Sequence, residues 1–170
     1  RRLGDVKLRL RTTTYLEQAH YFRGEYERVV ALAADNLAAL PAGLVDEHFG
    51  TSMPISVYTR FFLLLSLAQL GRFAEAAPYA AEVLRLAGPT QNAFTVGQTH
   101  LAAGRLHLAK GDWAKARALT EHGIATFRTG NIVLDLPLAV ASSALVLAQV
   151  GEASEALTRF QEGKQLLDRP

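Results

Sequence analysis

The chain contains no cysteine. That absence excludes disulfides, thiolate metal sites and a cysteine nucleophile, and it fits a reducing, cytoplasmic setting. Net charge is nearly absent too. Eighteen Lys and Arg against sixteen Asp and Glu leave +2, too little to argue for a nucleic-acid surface. No apolar run approaches the ~18 residues expected of a membrane span. The longest, FFLLLSLAQLG at 61–71, is about half that length, so no membrane partner is expected. Val, Ile and Thr are sparse over long stretches. No signal-peptide pattern opens the chain, which starts on Arg and reads as an excerpt from a longer protein.

What is present is alanine and leucine, the main part of a 49% hydrophobic content. Both lose little freedom in a helix, so the composition favours an all-α protein. A length of 170 residues is enough for one domain with a core.

A short stretch recurs: GEYERV at 24–29, GRFAEA at 71–76, GDWAKA at 111–116 and GEASEA at 151–156. The leading glycines, Gly24, Gly71, Gly111 and Gly151, are separated by 47, 40 and 40 residues. Two residues on stand Tyr26, Phe73, Trp113 and Ala153; five residues on stand Val29, Ala76, Ala116 and Ala156. Apolar-periodic runs flank each copy. The pattern predicts a helix–turn–helix unit used four times. Glycine ends the first helix because it reaches left-handed backbone angles without a Cβ clash. The residue after it can cap the second helix, Asp112 being well suited. The aromatic is expected to wedge into the crossing, and the alanine lets the two backbones approach.

Gly-polar-aromatic-x-x-Ala resembles the tetratricopeptide (TPR) repeat. The third unit fits best, with Gly104 at the small site seven residues before Gly111. The fourth follows with Ala144, Ala156 and Phe160. The second has Leu64 at the small site, and the first has Glu17 and Val29 in place of small residues. The resemblance implies a right-handed α-α superhelix of about four helix pairs. Its usual period is 34 residues; 40 here implies longer helices. HFGTSMPISVYTRFFLLLSLAQLGRFAEAAPYAAEVLRLA and GRLHLAKGDWAKARALTEHG resemble the long-period TPR arrays of large bacterial signalling ATPases. Some of those begin with a class III adenylate/guanylate cyclase domain, and related arrays occur in ATP-dependent transcriptional regulators. This resemblance covers most of residues 15–167 and implies a signalling role.

Residues 1–170 are therefore expected to form a single repeat domain with units near 5–40, 54–87, 92–129 and 135–167. The Pro- and Gly-bearing segment 41–53 is an insertion loop. Helices are predicted near 5–22, 26–40, 54–70, 73–87, 92–109, 113–129, 135–150 and 153–167. Pro78 conflicts with the second helix of its unit, which must start late or kink there.

Catalytic and metal readings find no support. Glu17-x-x-His20 has di-metal spacing but lacks the second copy and further carboxylates such a site needs. His100 and His107 share a helical face about 10 Å apart, too far for one ion. His20 and His107 each stand four residues before a repeat glycine, where the resemblance implies a packed side chain. Gly163-Lys164 has no phosphate-binding loop around it, and no Ser/His/Asp set is recognisable. The segment is expected to be non-enzymatic, without cofactor or metal. Arg1, Arg2, Lys7, Arg9 and Arg11 form the densest charge and read as a solvated face or domain junction.

The inner face of each first helix is where TPR arrays bind peptides. Alignment on the glycines places Arg11, Thr14, Gln18 and Tyr21 there in the first unit, and Tyr58, Phe61, Leu65 and Gln69 in the second. The third unit offers Gln98, Leu101, Arg105 and Leu108, and the fourth Leu138, Ala141, Leu145 and Gln149. The Lys and Asn clamp of chaperone-binding TPRs is missing. A mostly apolar groove with Arg105 nearly alone implies a protein or peptide partner, a neighbouring domain, or a second copy in a homodimer. A small apolar ligand in the groove is the alternative, and Leu101 and Leu145 serving only as core is the plain one.

Overall fold

Eight helices make up most of residues 3–168, the part of the chain that the computed structural model describes. They are α1 (Leu3–Phe22), α2 (Tyr26–Ala39), α3 (Ile55–Gln69), α4 (Phe73–Ala87), α5 (Ala93–Lys110), α6 (Trp113–Thr129), α7 (Leu136–Gln149) and α8 (Ala153–Leu167). Each bound lies within two residues of its sequence-based placement. No strand occurs among the described residues, and the helices pack in adjacent pairs. The chain divides into two compact units, Arg1–Leu86 and Ala87–Pro170.

The four pair-forming turns are copies of one another. Gly24, Gly71, Gly111 and Gly151 all sit at left-handed φ, between 71° and 85°. The amide of the next residue then reaches back five positions. Glu25 donates to His20 O at 2.9 Å, Arg72 to Leu67 O at 2.9 Å, Asp112 to His107 O at 2.9 Å and Glu152 to Leu147 O at 3.0 Å. Each glycine amide also donates three positions back, completing a Schellman closure. The carbonyl of that same next residue accepts the first bond of the following helix, from Val29, Ala76, Ala116 or Ala156. These four acceptor-matched residues are all buried. Turn and crossing are thus one local device. Asp112 adds the expected side-chain cap, its Oδ1 accepting from the Lys115 amide at 3.4 Å.

The crossing of α5 and α6 shows why the small residues are needed. A Cβ on Gly104 would lie 2.7 Å from Thr120 Oγ1 and 3.4 Å from Ala116 O. One on Gly97 would lie 2.1 Å from the Phe127 ring, and one on Gly123 would lie 3.0 Å from Gly97 O. Trp113 departs from expectation. It is exposed at the start of α6, so the crossing is filled by backbone, Ala116 and Thr120 and not by an aromatic wedge.

In the first unit, α1 packs against α2 and α3. α3 is buried along nearly its whole length. The 41–53 insertion holds one 3-10 turn, Ala42–Leu44, and left-handed residues Phe49 and Gly50. Lys7 from the basic cluster stands 5.3 Å from the Phe49 ring centre, and Arg11 stands 5.8 Å from that of Tyr15; Arg1 and Arg2 lie outside the described residues. α4 starts at Phe73 and runs on through Pro78, so a late start is excluded. In the second unit, Leu101, Ile124, Phe127, Ala139 and Val140 form a core across α5, α6 and α7.

Ala116 has no exposed surface. Ala116→Leu should therefore overpack the α5–α6 crossing and cost about 1–3 kcal/mol. A thermal melt reads this directly; an unshifted transition would contradict the close approach.

Candidate functional site

Groove positions of the first unit turn inward. Tyr58 is buried, its hydroxyl donating to Gln18 Oε1 at 3.3 Å and its ring set edge-on to Tyr15 and Phe62. Thr14 and Leu65 are buried, Gln18, Tyr21 and Phe61 are half-buried, the last edge-on against Phe62, and Arg11 and Gln69 are exposed. Tyr15 and Tyr21 of α1 pack their rings against Tyr58 and Phe62 of α3.

The second unit differs. Leu101 is a core residue, packed under Gly123 and grouped with Ile124, Phe127, Ala139 and Val140. Gln98 Nε2 donates to Asp135 Oδ1 at 2.7 Å, tying α5 to the residue that precedes α7. Burial raises the pKa of that Asp135 carboxyl, and the Gln98 bond opposes the shift. Arg105 and Leu108 are half-buried, and Arg105 enters no ion pair among the described residues. On α7, Leu138 is 57% and Leu145 53% exposed, with Ala141, Ala148 and Gln149 also open to solvent. α7 carries no charged side chain at all. Leu138, Ala141, Leu145 and Ala148 follow a 3-4-3 spacing, the a/d seam by which one helix packs against another. The open candidate surface is therefore this seam of α7, with Arg105 and Leu108 on α5.

Two polar arrangements lie outside the groove. Both histidines that precede a repeat glycine fold onto the acidic residue that follows it. His20 Nδ1 is 2.6 Å from Glu25 Oε2, and His107 Nδ1 is 3.2 Å from Asp112 Oδ2. The hydrogen bond from His20 is the main cause of a lowered Glu25 pKa. His-x-x-x-Gly-[Glu/Asp] was the readable signal for this clasp.

Glu17 occupies a small-residue site, and its environment explains how. Asn36 Nδ2 of α2 donates to Glu17 Oε1 at 3.0 Å and lies 3.0–3.3 Å from Thr59 Oγ1, Thr14 Oγ1 and Leu10 O. Thr14, Glu17, Asn36 and Thr59 are all buried, and Glu17 Oε2 has no hydrogen-bond partner. Burial pushes the Glu17 pKa from 4.5 to about 8, against the opposing pull of Asn36 and Thr59. The group is thus held neutral at a helix crossing, with His20 committed elsewhere. No group of three or more His, Asp or Glu that could hold a metal occurs among the described residues. No described helix is long and apolar enough to cross a membrane.

The fold has a solved counterpart. The crystal structure of the apo form of RapI, a TPR-like helical repeat protein, matches with a TM-score of 0.75 at 13% identity, over 99% of this chain and 45% of that one. The chain thus spans less than half the length of RapI, and at this identity the likeness concerns the fold alone. No protein-family model matches the sequence, and neither does any curated protein.

Because the folded-state pKa of Glu17 lies above 4.5, the folded chain holds the extra proton between 4.5 and about 8. Its contribution to stability is full below that window and lost as pH rises through it. Glu17→Gln should remove this dependence, so the wild type should melt relatively lower than the variant at pH 8 than at pH 5. Parallel melting curves against pH for the two proteins would contradict a neutral buried acid.

Proposed function

We propose that this chain is a non-catalytic protein-interaction module whose α7 seam, with Arg105 and Leu108 of α5, receives an amphipathic helix from a partner. The observation that carries the reading is the exposed 3-4-3 row from Leu138 to Ala148 on a helix without charge. An apolar seam at that spacing fits a second helix better than an extended strand, whose side chains repeat every two residues. Arg105, which stands 40 residues before Leu145 at the equivalent position of α5 and enters no ion pair among the described residues, favours a carboxylate on the partner's flank. Residues 1–170 then act as one repeat domain. The resemblance to long-period TPR arrays supports a place within a multidomain bacterial regulator, where binding couples to ATPase or cyclase output.

A second reading, binding of a small apolar molecule, is supported by a different feature. A cavity of about 600 Å³ is lined by Phe127, Ile132, Val133, Leu136, Pro137 and Leu166. That volume lies within the range of small-molecule sites.

Selection of binding peptides from a displayed library separates the two. Binders with an i, i+3, i+4, i+7 apolar stripe are expected, and Leu138→Glu or Leu145→Glu should weaken them at least ~10-fold, or about 1.4 kcal/mol. The melting temperature should stay unchanged, since both side chains are exposed. Binders indifferent to both substitutions would defeat the seam; thermal stabilisation by apolar small molecules would favour the cavity.

A further inference from the structure

Helix α1 carries an exposed row of its own. Leu8, Thr12, Tyr15, Ala19 and Phe22 follow a 4-3-4-3 spacing and all face solvent, Leu8 by 65% and Phe22 by 75%. The row lies about 100° round the helix from the inner-face positions Arg11, Thr14, Gln18 and Tyr21. Its aromatic members are already held in place: Tyr15 stands edge-on to Tyr58, and Phe22 edge-on to Phe62 and Tyr21. Large and small side chains alternate along it. Leu8, Tyr15 and Phe22 stand out as knobs, and Thr12 and Ala19 leave gaps between them.

The flanks of the row say what covers it. Arg9, Leu16 and Arg23 border it on one side, Arg11 and Gln18 on the other. Arg9 and Arg11 are exposed and enter no ion pair among the described residues, while Arg23 meets Glu25 at 2.8 Å. No carboxylate stands on either flank, because the one acid between Val6 and Phe22 is the buried Glu17. Flanking charges of a 4-3 row choose its partner. A second copy of α1, parallel or antiparallel, leaves these arginines facing no carboxylate. A lipid surface has no knobs to fill the gaps at Thr12 and Ala19. We propose that this row of α1 is a docking site for an amphipathic helix of a partner protein, with bulky apolar residues opposite Thr12 and Ala19 and carboxylates along both flanks. The site lies in the first unit, shares no residue with the α7 seam and does not depend on it.

The probe is a fluorescein-labelled amphipathic peptide of three heptads, with Leu facing Thr12 and Ala19, Ala facing Leu8, Tyr15 and Phe22, and Glu on both flanks. Titrated with the full chain and read by anisotropy, it should saturate. The same peptide with Lys flanks should bind at least ~10-fold more weakly, and Arg9→Glu together with Arg11→Glu should reverse that preference. Leu8→Glu or Ala19→Glu should weaken the Glu-flanked peptide at least ~10-fold. Leu138→Glu, on the α7 seam, should leave it unchanged, so failure of one site is distinguishable from failure of the other. Circular dichroism confirms that each variant keeps its helices. No saturation up to ~1 mM peptide, indifference to flank charge, or indifference to both row substitutions would overturn the proposal. So would phosphatidylserine-vesicle binding, or a concentration-dependent dimer, that Ala19→Glu abolishes.

Discussion

Two helices can lie close along their length only if the chain reverses tightly and the facing residues are small, and here a single turn supplies both conditions. A left-handed glycine lets the next amide reach back five positions, and the carbonyl of that same residue starts the following helix. The start of the second helix is thereby locked to the end of the first. This lock brings Val29, Ala76, Ala116 or Ala156 to the buried crossing in every pair. Packing buries Ala139, Val140, Ala144, Val146 and Leu147 of α7 and leaves the seam of Leu138, Ala141, Leu145 and Ala148 facing away.

The two units differ in what they bury. In the first, α3 is buried almost throughout, Tyr58 and Leu65 included, and the polar groups Thr14, Glu17, Asn36 and Thr59 bond to one another inside. In the second, Leu101, Ile124, Phe127, Ala139 and Val140 make an apolar core, and ion pairs such as Arg117–Glu152 and Arg128–Glu162 lie at its surface. Burial of polar groups is costly, so the first unit depends on the bonds that Asn36 makes to Thr14, Glu17 and Thr59. Exposed large apolar side chains occur in both units, Leu8, Tyr15 and Phe22 on α1 and Leu138 and Leu145 on α7, and such rows mark surfaces shaped for contact.

The helices and turns were legible because their signals are local: a glycine, the residue after it and a small residue five positions on. The site was legible in part for the same reason. Alignment on the glycines found Leu138, Leu145 and Gln149, which are open. It could not tell them from Leu101, which stands in an equivalent row but lies beneath a core built from α6 and α7. Nor could it reveal that Tyr15, Tyr58 and Phe62 fill the first unit from two helices at once. Glu17 was visible as a departure from the small-residue rule. Its partner Asn36 lies 19 residues away on another helix, and no periodicity points to it. Trp113 shows the opposite failure: a conspicuous aromatic at a motif position that the packing leaves outside.

The glycine-lined crossing of α5 and α6 also bears on how this chain can change over time. Every single-base change to a glycine codon that alters the amino acid adds at least a β-carbon. At Gly97 that carbon would run into the Phe127 ring, and at Gly123 into the backbone of Gly97 itself. Genetic drift therefore has no small first step at these places. Variation has to enter through the solvent-facing positions of the same helices, where a new partner preference could be acquired without disturbing the pair.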